Sequence, residues 1–116
     1  MTVGRLVEIL KLEIVAGKDG IHRQIKGAFI GDVLSIVMAH AQEADIWMTV
    51  QSHINTVAVA VLLNLPAIIF TQDIMPTTET IQKANEEAVV LLRTSKGTFE
   101  MASAVAHVLE EKKLTL

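Results

Sequence analysis

The 116-residue chain contains no cysteine, only six glycines and only two prolines. The absence of cysteine excludes disulfides, thiolate metal sites and a cysteine nucleophile, and it suits a reducing compartment. The sequence also lacks a Gly-x-x-x-x-Gly-Lys-Ser/Thr phosphate loop, a Gly-x-Gly-x-x-Gly fingerprint and a Gly-x-Ser-x-Gly elbow. We therefore do not expect a self-sufficient kinase, and no other catalytic signature stands out.

Charge is also scarce. The chain has 10 basic and 13 acidic residues, a formal net charge of −3 with histidine neutral, and charged residues make up 20% of it. Mild acidity without any basic run gives no attraction to phosphate backbones, so we expect no nucleic-acid partner. Because 51% of the residues are apolar, intrinsic disorder is excluded and the length predicts a single domain, residues 1–116.

The sequence has no long uninterrupted apolar run, although its mean hydropathy of +0.45 is high. The most apolar stretch, 57–70, is interrupted by Asn64 and Pro66, whereas a spanning helix needs about 20 mostly apolar residues. The first residues show no apolar leader with a cleavage site. We expect a soluble, cytoplasmic protein without a membrane partner, whose surplus apolar content belongs to a sheet buried on both faces and to a subunit interface.

Short β-branched runs alternate with helical patterns along the chain. The predicted strands are 12–15, 25–30, 45–50, 67–70 and 88–92, and the predicted helices are 3–10, 33–41, 54–63, 78–87 and 99–109. Thr2, Asp32 and Ser52 precede three of these helices and are suited to cap them. Strand–helix units with right-handed crossovers predict an α/β fold with a mostly parallel sheet.

Ligands bind open α/β sheets at the carboxyl ends of the strands, where helix N-termini favour anions. Polar side chains in the loops after three predicted strands therefore form the candidate ligand site. These residues are Asp32, Ser35, Gln51, Ser52, His53, Asn55, Thr71 and Asp73. Caps and turns use the same residue types, so a purely structural role stays open for Asp32 and Ser35.

The richest cluster is Gln51-Ser52-His53 with Asn55. His53 is suited to contact an anion or to relay a proton, and a purely structural role in the first turn of a helix stays equally open. Catalysis with His53 as general base and Asp73 orienting it requires the two side chains within about 3 Å of each other or one bridging water.

Histidine and tryptophan are two further residue types with candidate functional roles. No histidine pair has the His-Glu-x-x-His spacing of a zinc site, so we assign no metal and no cofactor. The single tryptophan, Trp47, lies in a predicted strand and is either a core residue or an anchor at a subunit interface.

Several stretches together resemble a DRTGG domain. The two longest are residues 25–35 (IKGAFIGDVLS) and residues 47–55 (WMTVQSHIN). Shorter matches follow at 58–60, at 66–70, at Thr94 and at Phe99-Glu100. The resemblance covers nearly the whole chain, as in a free-standing DRTGG domain. The family is named for an Asp-Arg pair and a Thr-Gly-Gly triplet at neighbouring strand ends. Here Gln51-Ser52-His53 and Thr71-Gln72-Asp73 occupy those regions, and only Thr71 is retained.

The resemblance implies a three-layer α/β/α fold similar to the N-terminal domain of HPr kinase/phosphorylase. Such domains occur beside CBS domain pairs in regulated pyrophosphatases, where they look like regulatory and dimer-forming modules. We therefore expect a non-catalytic, homodimeric regulatory module that binds a small anionic, nucleotide-like ligand; the anion contact of the missing arginine is either lost or transferred to His53. A small transferase or hydrolase using His53 as base, and a protein-binding adaptor, are the alternatives.

Overall fold

The chain alternates helices and strands from one end to the other. The structure, a computed structural model, describes residues 1–114, with side chains through Glu111. The elements are α1 (Val3–Leu10), β1 (Glu13–Ala16), a short 3-10 helix (Lys18–Gly20), β2 (Gly27–Ile30), α2 (Leu34–His40), β3 (Asp45–Thr49), α3 (Asn55–Leu63), β4 (Ala67–Phe70), α4 (Thr78–Glu87), β5 (Val90–Arg93) and α5 (Thr98–Leu114). The predicted domain bounds, 1–116, therefore extend two residues beyond the described part.

Five strands form one sheet in the order β1-β5-β4-β3-β2. Strands β2 to β5 pair in parallel, and β1 pairs antiparallel to β5, which confirms the mostly parallel sheet. The carboxyl ends of β2 to β5 and the start of β1 therefore meet at one side of the sheet, here called the carboxyl edge. All of the predicted site residues follow β2, β3 or β4 at this edge.

Alternate side chains of the central strands enter two separate cores. Ile46 and Met48 of β3 pack in one core with residues of α1 and α5. Trp47, between them, packs in the other core with residues of α2, α3 and α4. Because successive side chains of a strand point to opposite faces, this alternation places helices on both sides and gives the three-layer α/β/α architecture.

The central strands are buried on both faces, as predicted, whereas the edge strand β2 is not. Every residue of β3 and β4 is buried, whereas Ala28 and Ile30 of β2 are exposed because β2 is an edge strand. Trp47 is fully buried, and its indole N–H donates a hydrogen bond of 2.8 Å to the carbonyl of Gly31. Within the chain it is thus a core residue, and its hydrogen bond joins β3 to the end of β2.

Helix caps follow the sequence prediction only in part. Thr2 caps α1, its side chain accepting a hydrogen bond from the backbone N–H of Arg5. The predicted caps Asp32 and Ser52 are wrong: α2 and α3 begin after Val33 and Ile54, neither of which provides a side-chain cap. Asp32 lies one residue before the N-cap position of α2, and one oxygen of its carboxylate is hydrogen-bonded to Thr49 and Val50 instead. Within residues 1–114, no helix combines the length and apolarity that crossing a membrane requires.

Candidate functional site

Asp32 fastens the loop after β2 to the end of β3. One oxygen of its carboxylate accepts hydrogen bonds from the hydroxyl of Thr49 at 2.7 Å and from the backbone N–H of Val50 at 2.9 Å. The hydroxyl of Thr49 in turn accepts a bond of 3.1 Å from the N–H of Gln51. The side chain that looked like a helix cap in the sequence is therefore an organiser of the neighbouring loop.

The loop after β3 has a fixed backbone. The carbonyl of Ser52 accepts a 2.9 Å hydrogen bond from the hydroxyl of Thr80, which lies buried in α4. The carbonyl of His53 accepts a 2.8 Å bond from the hydroxyl of Thr56. Two anchors, one local and one from another helix, hold this loop at the start of α3.

Three polar side chains of that loop, by contrast, have no partner among the described residues. Gln51 and Ser52 are half-buried and Asn55 is exposed, and their side chains form no hydrogen bond with any described residue. Ser35, on the first turn of α2, is exposed in the same way. A rigid backbone that presents unpaired amide and hydroxyl groups is suited to bind a polar ligand.

His53 is exposed, and its Nδ1 accepts a 3.2 Å hydrogen bond from the backbone N–H of Asn55. Because this bond uses the Nδ1 lone pair, the neutral imidazole carries its proton on Nε2. The free nitrogen is then a hydrogen-bond donor in both the neutral and the protonated form. Such a group serves an anion well and serves poorly as a general base.

Thr71 is fully buried at the end of β4. Its hydroxyl lies 2.6 Å from the hydroxyl of Thr98, the first residue of α5, and the two groups share a hydrogen bond. The side chain therefore joins β4 to α5 beneath the edge, and its burial keeps it from solvent. Of the predicted site residues, it is the one whose side chain is fully buried, and we interpret it as scaffold.

Asp73 lies in a tight turn after β4. It and Gln72 both adopt left-handed backbone conformations, with φ of 61° and 59°, and their N–H groups donate 2.9 Å bonds to the carbonyls of Thr94 and Lys96. The Asp73 carboxylate pairs with Arg93 at 2.9 Å. In the described part of the chain, no hydrogen bond or ion pair joins Asp73 to His53. The contact on which the enzymatic alternative depends is thus not formed.

Arg93 forms the floor of a cleft at the β1–β5 side of the carboxyl edge. Its guanidinium bridges two carboxylates, with Nη1 at 3.1 Å from Glu13 and Nη2 at 2.9 Å from Asp73. The cleft has a volume of about 450 Å³ and is called the Arg93 cleft below. It is lined by Leu10, Lys11, Glu13, Asp73, Arg93, Thr94, Ser95 and Lys96.

Most of this cleft was missed in the sequence, which placed only Asp73 in the site. Thr94, Ser95 and Lys96 were recognisable as a polar loop after a strand. Lys11 and Glu13 were not, because only the antiparallel pairing of β1, which sets Glu13 opposite Arg93, brings the end of α1 to this edge. Among the described residues, no group of three or more histidine or acidic side chains could hold a metal ion.

The comparisons with known proteins agree with this architecture. The model of the DRTGG domain family matches residues 5–108. A crystal structure of the CBS and DRTGG domains of the regulatory region of Clostridium perfringens pyrophosphatase, complexed with its activator diadenosine tetraphosphate, superimposes with a TM-score of 0.67 at 14% identity. That match covers 88% of this chain and 44% of the neighbour, so the chain spans less than half of it.

At such low identity the superposition establishes a common fold and leaves the ligand of this domain to be argued from its own residues. No curated protein matches the chain in sequence. The family model, in contrast, spans all five strands and most of α5. The chain therefore belongs to the DRTGG domain family.

Proposed function

We propose that this domain is a non-catalytic regulatory module that binds a small anionic, nucleotide-like ligand at its carboxyl edge. The observation that carries the proposal is the loop Gln51–Asn55. Its backbone is anchored at Ser52 and His53, while the side-chain amides and the Nε2 of His53 are free. This arrangement is pre-organised for a ligand, because no internal hydrogen bond has to break before the ligand binds.

The donors at this edge indicate the chemistry of the ligand. His53 Nε2 and the side-chain amides of Gln51 and Asn55 are available to anionic oxygens, whereas the first backbone N–H groups of α3 already donate within the chain. Asp32 adds an exposed carboxylate at the neighbouring strand end, and a carboxylate accepts hydrogen bonds from hydroxyl or amino groups. A molecule with both an anionic group and hydroxyls, such as a nucleotide, matches this combination.

The comparison with the pyrophosphatase supports the same ligand class. Its regulatory region was crystallised with diadenosine tetraphosphate as activator. That region also contains CBS domains, so the activator supports an adenine nucleotide as a candidate and does not by itself locate the site in this domain. We place the ligand site at the carboxyl edge because of the residues that this chain presents there.

A regulatory role fits the geometry better than a catalytic one. The proposed base, His53, uses its Nδ1 lone pair on the backbone of Asn55, and the proposed orienting group, Asp73, is paired with Arg93. A general base needs a free lone pair within reach of its substrate proton and a partner that stabilises the imidazolium. The edge provides neither in this arrangement.

We propose further that the module is a homodimer formed through the outer face of α3. Ala58, Val61 and Leu62 are exposed at helical spacings of three and four residues, with Val61 at 46% and Leu62 at 68%. A helix that is apolar on all sides is normally covered on all sides. The same face would serve an adaptor that docks a different protein.

Light scattering coupled to gel filtration tests the dimer. We expect a dimer for the unmodified chain and a monomer for Leu62→Glu. The matched control is Ile9→Glu, which alters an exposed apolar residue, 40% accessible, on the opposite face of the sheet and should leave the dimer intact. A monomeric unmodified chain would contradict the dimer and favour the adaptor.

A thermal-shift screen with nucleoside monophosphates, nucleoside diphosphates and dinucleoside polyphosphates tests ligand binding. A ligand at 100 times its dissociation constant adds about 2.7 kcal/mol, which raises the melting temperature of a domain of this size by several degrees. His53→Ala should abolish the shift without lowering the melting temperature of the free protein, since His53 is exposed. His22→Ala, an exposed histidine at the opposite side of the sheet, is the control.

Two results would count against the proposed ligand site. If no member of the panel raises the melting temperature, the domain does not bind this class of ligand. If His53→Ala and His22→Ala retain the same shift, the ligand binds elsewhere and the loop Gln51–Asn55 is excluded.

A further inference from the structure

We infer that the Arg93 cleft binds a diphosphate group between the ammonium groups of Lys11 and Lys96. The inference rests on the proposed function, because the cleft opens at the same carboxyl edge and shares Asp73 with the candidate site. It adds a location for the phosphates, on residues that the sequence analysis did not assign to the site.

The charge of the cleft is opposite to that of the protein. The whole chain carries −3, whereas the lining of the cleft contains three cationic side chains and two carboxylates and is therefore net positive. A positive depression on an acidic protein attracts anions to that place rather than to the surface in general. The excess charge comes from Lys11 and Lys96.

Both lysines are free to act on a ligand. The two carboxylates of the cleft, Glu13 and Asp73, are held by Arg93. Within the described part of the chain, neither Lys11 nor Lys96 has a carboxylate at ion-pair distance, in contrast to Lys83, which pairs within its own helix. The lysines therefore approach an anion without first giving up a partner.

The lysines are attached to fixed backbone on both sides of the cleft. The N–H of Lys11 ends α1 by donating to the carbonyl of Val7. The N–H of Lys96 donates to the Thr94 hydroxyl at 3.2 Å, and its carbonyl accepts the 2.9 Å bond from Gln72. Only the flexible side chains must be ordered on binding, which limits the entropic cost.

Arg93 itself has unused hydrogen-bonding capacity. Its Nε is buried and forms no hydrogen bond with a described residue, although buried donors are nearly always paired. Its Nη atoms stay on Glu13 and Asp73, so Arg93 adds positive charge beneath the ligand while the two lysines make the direct contacts with the phosphates.

The size of the cleft selects among anions. A volume of about 450 Å³ is within the range of small-molecule sites, roughly 300–1,000 Å³, and a single phosphate fills only a small part of it. The hydroxyls of Thr94 and Ser95 add neutral hydrogen-bonding groups to the same lining. The cleft therefore has room for two linked phosphate groups, one for each lysine of its lining.

Titration of the full ¹⁵N-labelled chain with inorganic pyrophosphate at low salt tests the inference by NMR. We expect the amides of Thr94, Ser95, Lys96 and Lys11 to shift. Lys11→Gln and Lys96→Gln should each weaken binding about tenfold or more, since each removes one charged hydrogen bond. Lys18→Gln, an exposed lysine outside the cleft, changes the charge equally and should leave the affinity unchanged.

Three outcomes would overturn the inference. Shifts confined to Gln51–Asn55 would place the anion at the candidate site and leave the proposed function standing. An equal loss of affinity in Lys18→Gln would mean attraction by overall charge. No shift with millimolar pyrophosphate would remove the cleft as an anion site, while the nucleotide panel above would still decide the proposed function independently.

Discussion

The hydrogen bond between Thr71 and Thr98 gives a sharp test of which residues build the site and which bind the ligand. Thr71→Val keeps the shape of the side chain, removes its hydroxyl and leaves the half-buried Thr98 hydroxyl without its partner at 2.6 Å. A buried polar group that loses its partner costs about 1–3 kcal/mol. Since Thr98 retains some access to water, we expect a loss of about 1–2 kcal/mol in the free energy of unfolding.

Thr98→Val should cost more, about 2–3 kcal/mol, because it strands the hydroxyl of Thr71, which has no access to solvent. In the double variant both hydroxyls are gone, so it should be at least about 1 kcal/mol more stable than the sum of the single losses predicts. Urea denaturation measures the free energy of unfolding of the unmodified chain and the three variants. An unchanged m value shows that the substitutions alter stability and not the surface exposed on unfolding.

Strict additivity of the two substitutions would refute the shared hydrogen bond. The ligand experiment provides a second, independent reading of the same variants. If Thr71 is scaffold, folded Thr71→Val binds the nucleotide found in the screen with unchanged affinity. A loss of affinity without a loss of stability would instead make Thr71 a ligand contact.

Three further predictions concern the structure around the site, and urea denaturation tests each of them. Gly17→Ala should lower the free energy of unfolding by about 3 kcal/mol or more, because φ is +71° and the new Cβ would lie 1.8 Å from the carbonyl oxygen of Val89. Gly97→Ala is the control: its Cβ would lie no closer than 3.4 Å to any neighbour, so the free energy of unfolding should change by less than about 1 kcal/mol. Trp47→Phe should cost about 1–3 kcal/mol through loss of its 2.8 Å hydrogen bond. Asp32→Ala should cost about 1–2 kcal/mol and Asp32→Asn less, since the amide retains an acceptor oxygen for Thr49 and Val50.

The elements whose ends carry a local signal were predictable from the sequence. Strand β4 (Ala67–Phe70) lies between Pro66 and a polar loop, and α4 begins after its cap Thr77 and ends at Glu87; both were predicted to the residue. The strand predicted at 88–92 begins two residues before β5 (Val90–Arg93) and ends one residue before it does. The cause is Ala88, which adopts the left-handed conformation that ends α4, so that an apolar residue belongs to a cap rather than to a strand.

The location of the candidate site was predictable from the sequence, but most of its side-chain contacts were not. The order of strands and helices was enough to locate the loops after β2, β3 and β4 at one edge. The partners of the side chains were not, because they depend on pairings between elements distant in sequence. Asp32 bonds to Thr49 across 17 positions, and Arg93 pairs with Glu13 across 80.

These long-range contacts resolve an objection that the composition of the edge raises. Carboxylates such as Asp32 and Asp73 should repel an anionic ligand. Yet one oxygen of Asp32 is occupied by two donors from β3 and the loop after it, and Asp73 is neutralised by Arg93. What remains for a ligand is mostly donors, namely the Nε2 of His53, the side-chain amides beside it and the lysines of the Arg93 cleft. The acidic residues thus organise the edge, and the groups they leave free have the chemistry that the proposed anionic ligand requires.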